Sequence, residues 1–439
     1  MSNKITINNK IKSFSKKINV SGDKSLSIRW VLFSSLANGK SKAKNLLMSE
    51  DVLAAINAIK ILGIKVVIKK NECEIFGKGI NGFKYKKNLK INAKNSGTLG
   101  RLIIGLLVNS PFSIKLIGDK SLSKRDFKRV SDPLSKFGAK FILKNNKNLP
   151  LKICGNKNLK PIYYNEKKGS AQCKSAVILA GMRTEGITII KAKKSRNHTE
   201  LLSKYLKLPI KIKIKKNYDL IKVKKVNKIK KINYKIPSDI SSGAFFMVLT
   251  ALTKDAKLTI KNVNINSSRT GIITILKKMG VTIKYQNKKI YKGEKIADIL
   301  IKNPKFIKPI KCPTKYNSFA IDEFLIIFLV AAKAKGVSTF KDIGELNQKE
   351  SPRLTWGNKI LNSIGIKTIL TKNSIKIFGN PNVKVEKKII IKNFLKDHRV
   401  FMTSVIAGLT FGGVWEIHDK SSIKTSFPNF LKIINELKK

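Results

Sequence analysis

Eight short polar stretches of this sequence bring cations, hydroxyls and carboxylates to the places where apolar, helix-like runs begin. They are KSLSIR (24–29), NSGTLGR (95–101), GSAQCKS (169–175), SRNHTE (195–200), DISSGAFF (239–246), IDEF (321–324), NQKESPR (347–353) and DHR (397–399). A helix start exposes N–H groups and the positive end of the helix dipole, so lysine, arginine and serine beside it suit an anion, above all phosphate. Taken singly, each stretch reads equally well as a capped helix with solvated charges. The nine arginines of the chain are at 29, 101, 125, 129, 183, 196, 269, 353 and 399, and five of them fall inside these stretches. A guanidinium gives carboxylate or phosphate a planar two-point contact that lysine cannot copy. The set predicts a site lined with cations and amides, for a ligand carrying more than one phosphate or carboxylate.

One turn occurs twice, as GDKSLSIR at 22–29 and GDKSLSKR at 118–125. Acid–base candidates follow from scarcity, because only 26 residues are acidic. Asp322, Glu323 and Glu350 are expected at helix starts among cations, where a carboxylate stays ionised and accepts a proton from a hydroxyl. A lysine crowded by cations is the complementary proton donor. His198 and His398 also sit in the polar stretches. No His, Cys or Asp spacing supports a metal site, and GKGING (77–82) fits neither the dinucleotide nor the P-loop pattern.

The elements that must position these residues repeat. Six apolar helical segments, 25–37, 98–108, 172–182, 241–252, 322–334 and 398–409, start 73, 74, 69, 81 and 76 residues apart. Each leads through a short turn into a β-like run such as FSIKLIG, GITIIKA or GVWEIHD. In most units a second helix follows and stops at glycine, as in 51–62 before Gly63, 269–279 before Gly280 and 351–364 before Gly365. Strand pairs come next, among them 281–285 with 288–293. Six units of 70–80 residues fit two domains of three better than a solenoid, whose period is about 20–50 residues. The crossings between domains are expected at 20–22 and 236–238.

Composition bounds the partners. The 439 residues carry a formal net charge of +65, which invites a nucleic-acid or membrane reading. The basic residues are spread along the whole chain and the aromatics fall inside apolar runs, so a solvated lysine-rich surface is expected instead. The cysteines Cys73, Cys154, Cys173 and Cys312 lack CxxC pairing and read as free thiols of a reducing compartment. MSNKITINNKIKSF lacks the apolar core of a signal peptide, and no apolar run reaches the roughly 18 residues of a membrane span. A cytoplasmic monomer without nucleic-acid or membrane partners is the expectation.

At this point the ordered motifs SGDKSLSIR, NSGTLGRL, GDKSLSKR, GSAQCKSAVILAG, SRNHTE, DISSGAFF, IDEF, ELNQKESPRL, DHRVFM and TSFPNF, between residues 21 and 430, resemble the EPSP synthase family, the 3-phosphoshikimate 1-carboxyvinyltransferases. The family that transfers enolpyruvyl to a UDP-amino sugar shares the fold but lacks the KS-S-R, SAQ and KES-R combination. The resemblance implies a two-domain inverted α/β barrel-like fold, with three β/α units per domain around a pseudo-threefold axis. It implies a discontinuous domain of residues 1–22 and 239–439, an inserted domain of 23–238, and an active site in a cleft that closes on ligand. It also implies transfer of the carboxyvinyl group of phosphoenolpyruvate to the 5-hydroxyl of shikimate 3-phosphate, with release of phosphate and without metal or organic cofactor.

By the same resemblance, Lys24 touches both substrates. Ser25, Arg29, Ser170, Ala171, Gln172, Ser195, Arg196, Asp322 and Lys349 hold shikimate 3-phosphate. Gly97, Arg125, Gln172, Arg353 and Arg399 hold phosphoenolpyruvate. Asp322 is the base for the 5-hydroxyl, and Glu350 with Lys24 protonates the methylene carbon. Gly97 further suggests sensitivity to glyphosate. Departures from the family pattern are Pro352 for Asp, which is expected to move the helix start behind Glu350; Asn197 for Asp; Asp126 and Phe127 for Pro-Met; and Leu99 and Gly100 for smaller residues or Met. Lys424 lies one residue further from the Phe-Pro pair than the family's ligand-binding lysine.

Overall fold

The computed structural model describes residues 3–69 and 72–439. It contains six apolar helices, Lys24–Ser35, Gly97–Leu106, Ala171–Gly181, Ile240–Leu252, Phe324–Ala332 and His398–Phe411, one for each expected segment. They are buried on nearly every face. Phe324–Ala332 reads FLIIFLVAA without a polar residue, and all of its residues are buried. Such helices have no solvent stripe, so they form the middle of a core rather than its surface.

Four of these helices link two parallel strands of one sheet. Leu89–Asn92 pairs in parallel with Ile114–Ile117, Tyr163–Glu166 with Ile187–Lys193, Lys311–Cys312 with Gly336–Phe340, and Lys388–Ile391 with Val414–Ile417. The short first strand of each pair escapes sequence reading, because two to four residues carry too little periodicity. The unit is therefore strand, helix, strand, helix, strand, strand. Gly63, Gly280 and Gly365 end second helices at φ +83, +95 and +80, a left-handed position that costs glycine nothing.

One expected strand pair is not formed. Residues 281–285 and 288–293 do not face each other; Thr282–Tyr291 is a single strand, neighbour to Glu294–Lys302 in its sheet. The polar run between them is absorbed without a turn, because Asn287 takes φ +52 and donates to Asp298 Oδ2 at 2.8 Å. The chain instead reverses at Lys292 and Gly293, both at positive φ, as a two-residue hairpin turn requires.

Contacts divide the chain into two units. One takes residues through Ser21, Pro237–Ile290 and Lys295–Lys439; the other takes Gly22–Ile236 and the hairpin turn Tyr291–Glu294. Each contains three sheets and its own apolar core. The strand before the first apolar helix, Ser15–Ile18, pairs with Lys257–Asn264 of the 237–439 unit. The strand before the fourth, Tyr234–Lys235, pairs with Asn38–Lys44 of the 22–236 unit. Ile5–Ile7 completes the last sheet, antiparallel to Val414–Ile417. No helix among the described residues is long and apolar enough to cross a membrane.

Candidate active site

In the 22–236 unit both copies of the repeated turn are capped by aspartate, not by serine. Asp23 Oδ1 accepts from Leu26 N at 2.9 Å, and Asp119 Oδ1 from Leu122 N at 2.7 Å. The first copy opens the helix Lys24–Ser35. The second opens only the 3-10 turn Leu122–Lys124, and the next helix, Lys128–Ser135, begins later. Lys24 Nζ, partly exposed, pairs with Asp51 Oδ2 at 3.0 Å, from the first turn of Glu50–Ile61. Ser25 is half-buried, and its carbonyl accepts from Arg29 Nη1 at 3.1 Å. Arg29 is buried and donates to Thr199 Oγ1 at 2.7 Å and Ser175 Oγ at 3.1 Å. Burial brings its pKa down to about 10, against the opposing pull of Glu200 and Asp23; Arg196 adds to the lowering. Ser195 is buried, and its Oγ makes no hydrogen bond among the described residues.

A second group gathers around Gly97, the first residue of its helix. A Cβ there would lie 3.0 Å from an Nη1 of both Arg101 and Arg125. Arg101 donates to Gln172 Oε1 at 2.7 Å and lies over the Phe127 ring at 5.2 Å. Burial first, then Arg125 and Arg129, lower its pKa to about 10, against Cys173 and Asp126. Gln172 in turn donates to Thr98 Oγ1 at 3.0 Å. Arg125 donates to Asn95 Oδ1 at 2.9 Å, and Asn95 to Asp119 Oδ2 at 2.7 Å. Asp119 therefore caps a turn and fixes an arginine, a dual use that the sequence pattern did not disclose. Ser170 caps the helix that begins at Ala171, accepting from Cys173 N at 3.3 Å. Buried Glu166 accepts from Gly169 N at 2.6 Å and Lys168 N at 3.2 Å, and so holds the loop that presents Ser170.

In the 237–439 unit the candidates centre on Arg353, which is 2% exposed. Its Nε donates to Asp397 Oδ2 at 2.8 Å and its Nη2 to Asp397 Oδ1 at 3.1 Å. Nη2 also pairs with Glu350, and Nη1 lies 3.6 Å from Asp322 Oδ1. Lys349 Nζ lies 3.4 Å from the same Asp322 oxygen. Burial opposes the charge of Arg353, but Asp397 and Glu350 outweigh it and hold its pKa above the ordinary value. Burial likewise opposes the charge of Asp397, and Arg353 holds its carboxyl below the usual range. Asp397 also accepts from Ser351 Oγ at 2.9 Å and caps His398–Phe411 through Arg399 N at 2.9 Å. Arg399 donates to the Asp322 carbonyl.

Two placements correct the sequence reading. Asp322 lies in the turn before Phe324–Ala332, and Glu350 lies before Arg353–Ser363; neither is helical. Pro352 does take the N-cap position, without a side-chain cap. Asn347 supplies one from outside, its Oδ1 accepting from Leu354 N at 3.0 Å and Thr355 N at 3.3 Å. Asn347→Ala is expected to cost about 1 kcal/mol, the usual worth of such a cap. An unchanged denaturant midpoint would remove that role. Lys424 is exposed at the end of the 3-10 turn Lys420–Thr425, and it makes no ion pair among the described residues. Among those residues, no three His, Cys, Asp or Glu side chains are grouped to hold a metal ion.

At the level of fold, the chain matches the crystal structure of the enolpyruvyl transferase NikO from Streptomyces tendae. The TM-score is 0.76 over 100% of this chain and 98% of that one, at 12% identity. The family itself is sharper. The model for EPSP synthase (3-phosphoshikimate 1-carboxyvinyltransferase) matches residues 8–434. A 3-phosphoshikimate 1-carboxyvinyltransferase of Ruthia magnifica subsp. Calyptogena magnifica is 40% identical over 97% of this chain and 96% of its own. That of Petrotoga mobilis is 36% identical, over 96% of each. EPSP synthase from Acinetobacter baumannii superposes with TM-score 0.86 at 35% identity, covering 98% of this chain and 97% of that chain. The chain belongs to the EPSP synthase family.

Proposed function

We propose that this chain transfers the carboxyvinyl group of phosphoenolpyruvate to the 5-hydroxyl of shikimate 3-phosphate and releases phosphate, a step toward chorismate and the aromatic amino acids. The observation that carries the chemistry is the grouping of two carboxylates, Asp322 and Glu350, on one buried arginine with Lys349 beside them. The reaction must remove a proton from a hydroxyl and deliver one to a carbon, and two carboxylates held on different nitrogens of one guanidinium suit two such tasks. Transfer to a UDP-amino sugar and nucleic-acid binding are not favoured by the family match.

In this reading Asp322 takes the 5-hydroxyl proton as the oxygen attacks C2 of phosphoenolpyruvate. Lys24, with Glu350, protonates the methylene carbon, giving a tetrahedral intermediate. Loss of a proton from that carbon and cleavage of the C2–O bond to phosphate then restore the vinyl group and free phosphate. Ser25, Arg29, Ser170, Ala171, Gln172, Ser195, Arg196 and Lys349 bind shikimate 3-phosphate, and the partnerless buried hydroxyl of Ser195 is consistent with a ligand contact. Gly97, Arg125, Gln172, Arg353 and Arg399 bind phosphoenolpyruvate, an anion whose phosphate and carboxylate suit guanidinium donors. The chain acts on these small molecules as a cytoplasmic monomer.

Phosphate release from the two substrates, assayed without added metal and with the enolpyruvyl product identified, tests the assignment. Absence of product from folded protein refutes it. Gly97→Ala is a finer test. Its methyl would crowd two flexible guanidinium ends rather than backbone, so the fold is retained while the anion site shrinks. The expected result is a rise of about tenfold or more in the phosphoenolpyruvate KM, equivalent to about 1.4 kcal/mol, with a larger loss of inhibition by glyphosate. Equal changes for both substrates would move Gly97 out of that site.

A further inference from the structure

One residue after Asp322 lies a carboxylate that the proposed chemistry does not use. Glu323 is 0% exposed. Its carbonyl accepts from Ile326 N and Ile327 N at the start of Phe324–Ala332. Its side chain reaches two other helix starts. Ser241 Oγ, in the first turn of Ile240–Leu252, donates to Glu323 Oε1 at 2.5 Å. Arg399 Nη1, in the first turn of His398–Phe411, lies 3.6 Å from the same oxygen. Ser241 is itself held by Arg269 Nη2 at 2.7 Å. One buried carboxylate thus joins the first turns of all three central helices of this unit.

A buried carboxylate is costly unless paired. Here it has one guanidinium close by, a second acting through Ser241, and the positive ends of three helices around it. What that compensation achieves is visible at Arg399. Its Nη1 donates to the Asp322 carbonyl and lies 3.6 Å from the Glu323 carboxylate, within ion-pair range. A guanidinium is planar and rigid, so holding one nitrogen sets the direction of its remaining donors.

We propose that Glu323 is a positioning residue for Arg399, a buried countercharge that fixes the guanidinium edge offered to phosphoenolpyruvate. This rests on the assignment of Arg399 to phosphoenolpyruvate made above. Glu323→Gln keeps the shape and the acceptor for Ser241 but removes the charge. In the full chain it is expected to raise the phosphoenolpyruvate KM by about tenfold, while the KM for shikimate 3-phosphate moves less than about twofold. Glu323→Asp, which keeps the charge on a shorter arm, should fall between wild type and Gln. In an Arg399→Ala background the effect of Glu323→Gln should shrink to within about twofold, because the two act as one unit.

An unchanged phosphoenolpyruvate KM in Glu323→Gln, a parallel rise in both KM values, or an undiminished effect in the Arg399→Ala background would each overturn the inference. Arg399→Ala alone separates the two levels. If it leaves the phosphoenolpyruvate KM unchanged, the underlying assignment fails. If it is impaired while Glu323→Gln is not, only the positioning role fails. Should Glu323→Gln not fold, Ser241→Ala removes the donor that holds Oε1 and is expected to give a smaller rise confined to phosphoenolpyruvate; no such rise would equally overturn the inference.

Discussion

Asp322→Ala is expected to lower kcat by about 10²- to 10⁴-fold, the usual worth of a placed general base, without weakening either substrate. The sign of the binding effect follows from the charges around it. Asp322 Oδ1 lies 3.4 Å from Lys349 Nζ and 3.6 Å from Arg353 Nη1. In the unliganded protein the carboxylate therefore competes with an incoming anion for two cations. Its removal costs the reaction a proton acceptor but leaves those cations to the ligands. Calorimetric titration with shikimate 3-phosphate, beside single-turnover rates, measures the two effects separately. Asp322→Asn should match the Ala variant in rate, since an amide keeps the shape but does not accept the proton. Wild-type turnover in either variant would sink the base assignment. A loss of binding as large as the loss of rate would make Asp322 a ligand first.

Much of the architecture was legible because it repeats. Six apolar helices spaced by 69–81 residues announced six units, and each helix is present within a few residues of its expected span. The strand that precedes most of these helices was not legible. Lys311–Cys312 and Tyr234–Lys235 are two residues long, and only a partner across the sheet defines such strands. The hairpin error at 282–291 has a related cause. A polar Gln-Asn-Lys-Lys run reads as a turn by composition, yet Asn287 reaches Asp298 on the neighbouring strand, a contact distant in sequence.

The candidate site divides the same way. Residue types at helix starts marked the stretches that hold Lys24, Gly97, Gln172, Arg353 and Arg399, because helix ends are local features with local signals; the role proposed for each residue comes from the family resemblance. The residues that aim them come from elsewhere in the chain. Asp51 meets Lys24 from the next helix, Asp119 fixes Arg125 through Asn95, and Thr199 holds Arg29 across 170 residues. Asn347 is the instructive case. The sequence shows that Pro352 cannot supply a side-chain cap, but only the folded 3-10 turn Gly344–Gln348 shows what supplies it instead.

The largest loss of stability is expected at Asp397. Breaking a buried ion pair from one side leaves an uncompensated charge, which costs about 3–5 kcal/mol. Asp397→Asn removes the fully buried carboxylate but leaves Glu350 and Asp322 facing Arg353, so the cost is expected at the lower end of that range, and it takes the negative charge from the start of His398–Phe411. Trp356 and Trp415 both belong to this unit, so their fluorescence in a Trp30→Phe background follows its urea unfolding. The pH dependence has a defined sign. The folded-state carboxyl of Asp397 is held below its ordinary value, so its stabilisation is fully present above the unfolded pKa of about 3.9 and is lost as pH falls through the folded one. The gap between wild type and Asp397→Asn should therefore be widest near neutrality and narrow in acid; a gap that does not depend on pH would mean that shape, not charge, sets the cost. Arg353→Met with Asp397→Leu then parts structure from function. A well-packed apolar pair can match a buried ionic one, so this double variant is expected to regain most of the lost stability while remaining unable to bind phosphoenolpyruvate. Recovery of binding along with stability would show that Arg353 serves the fold alone.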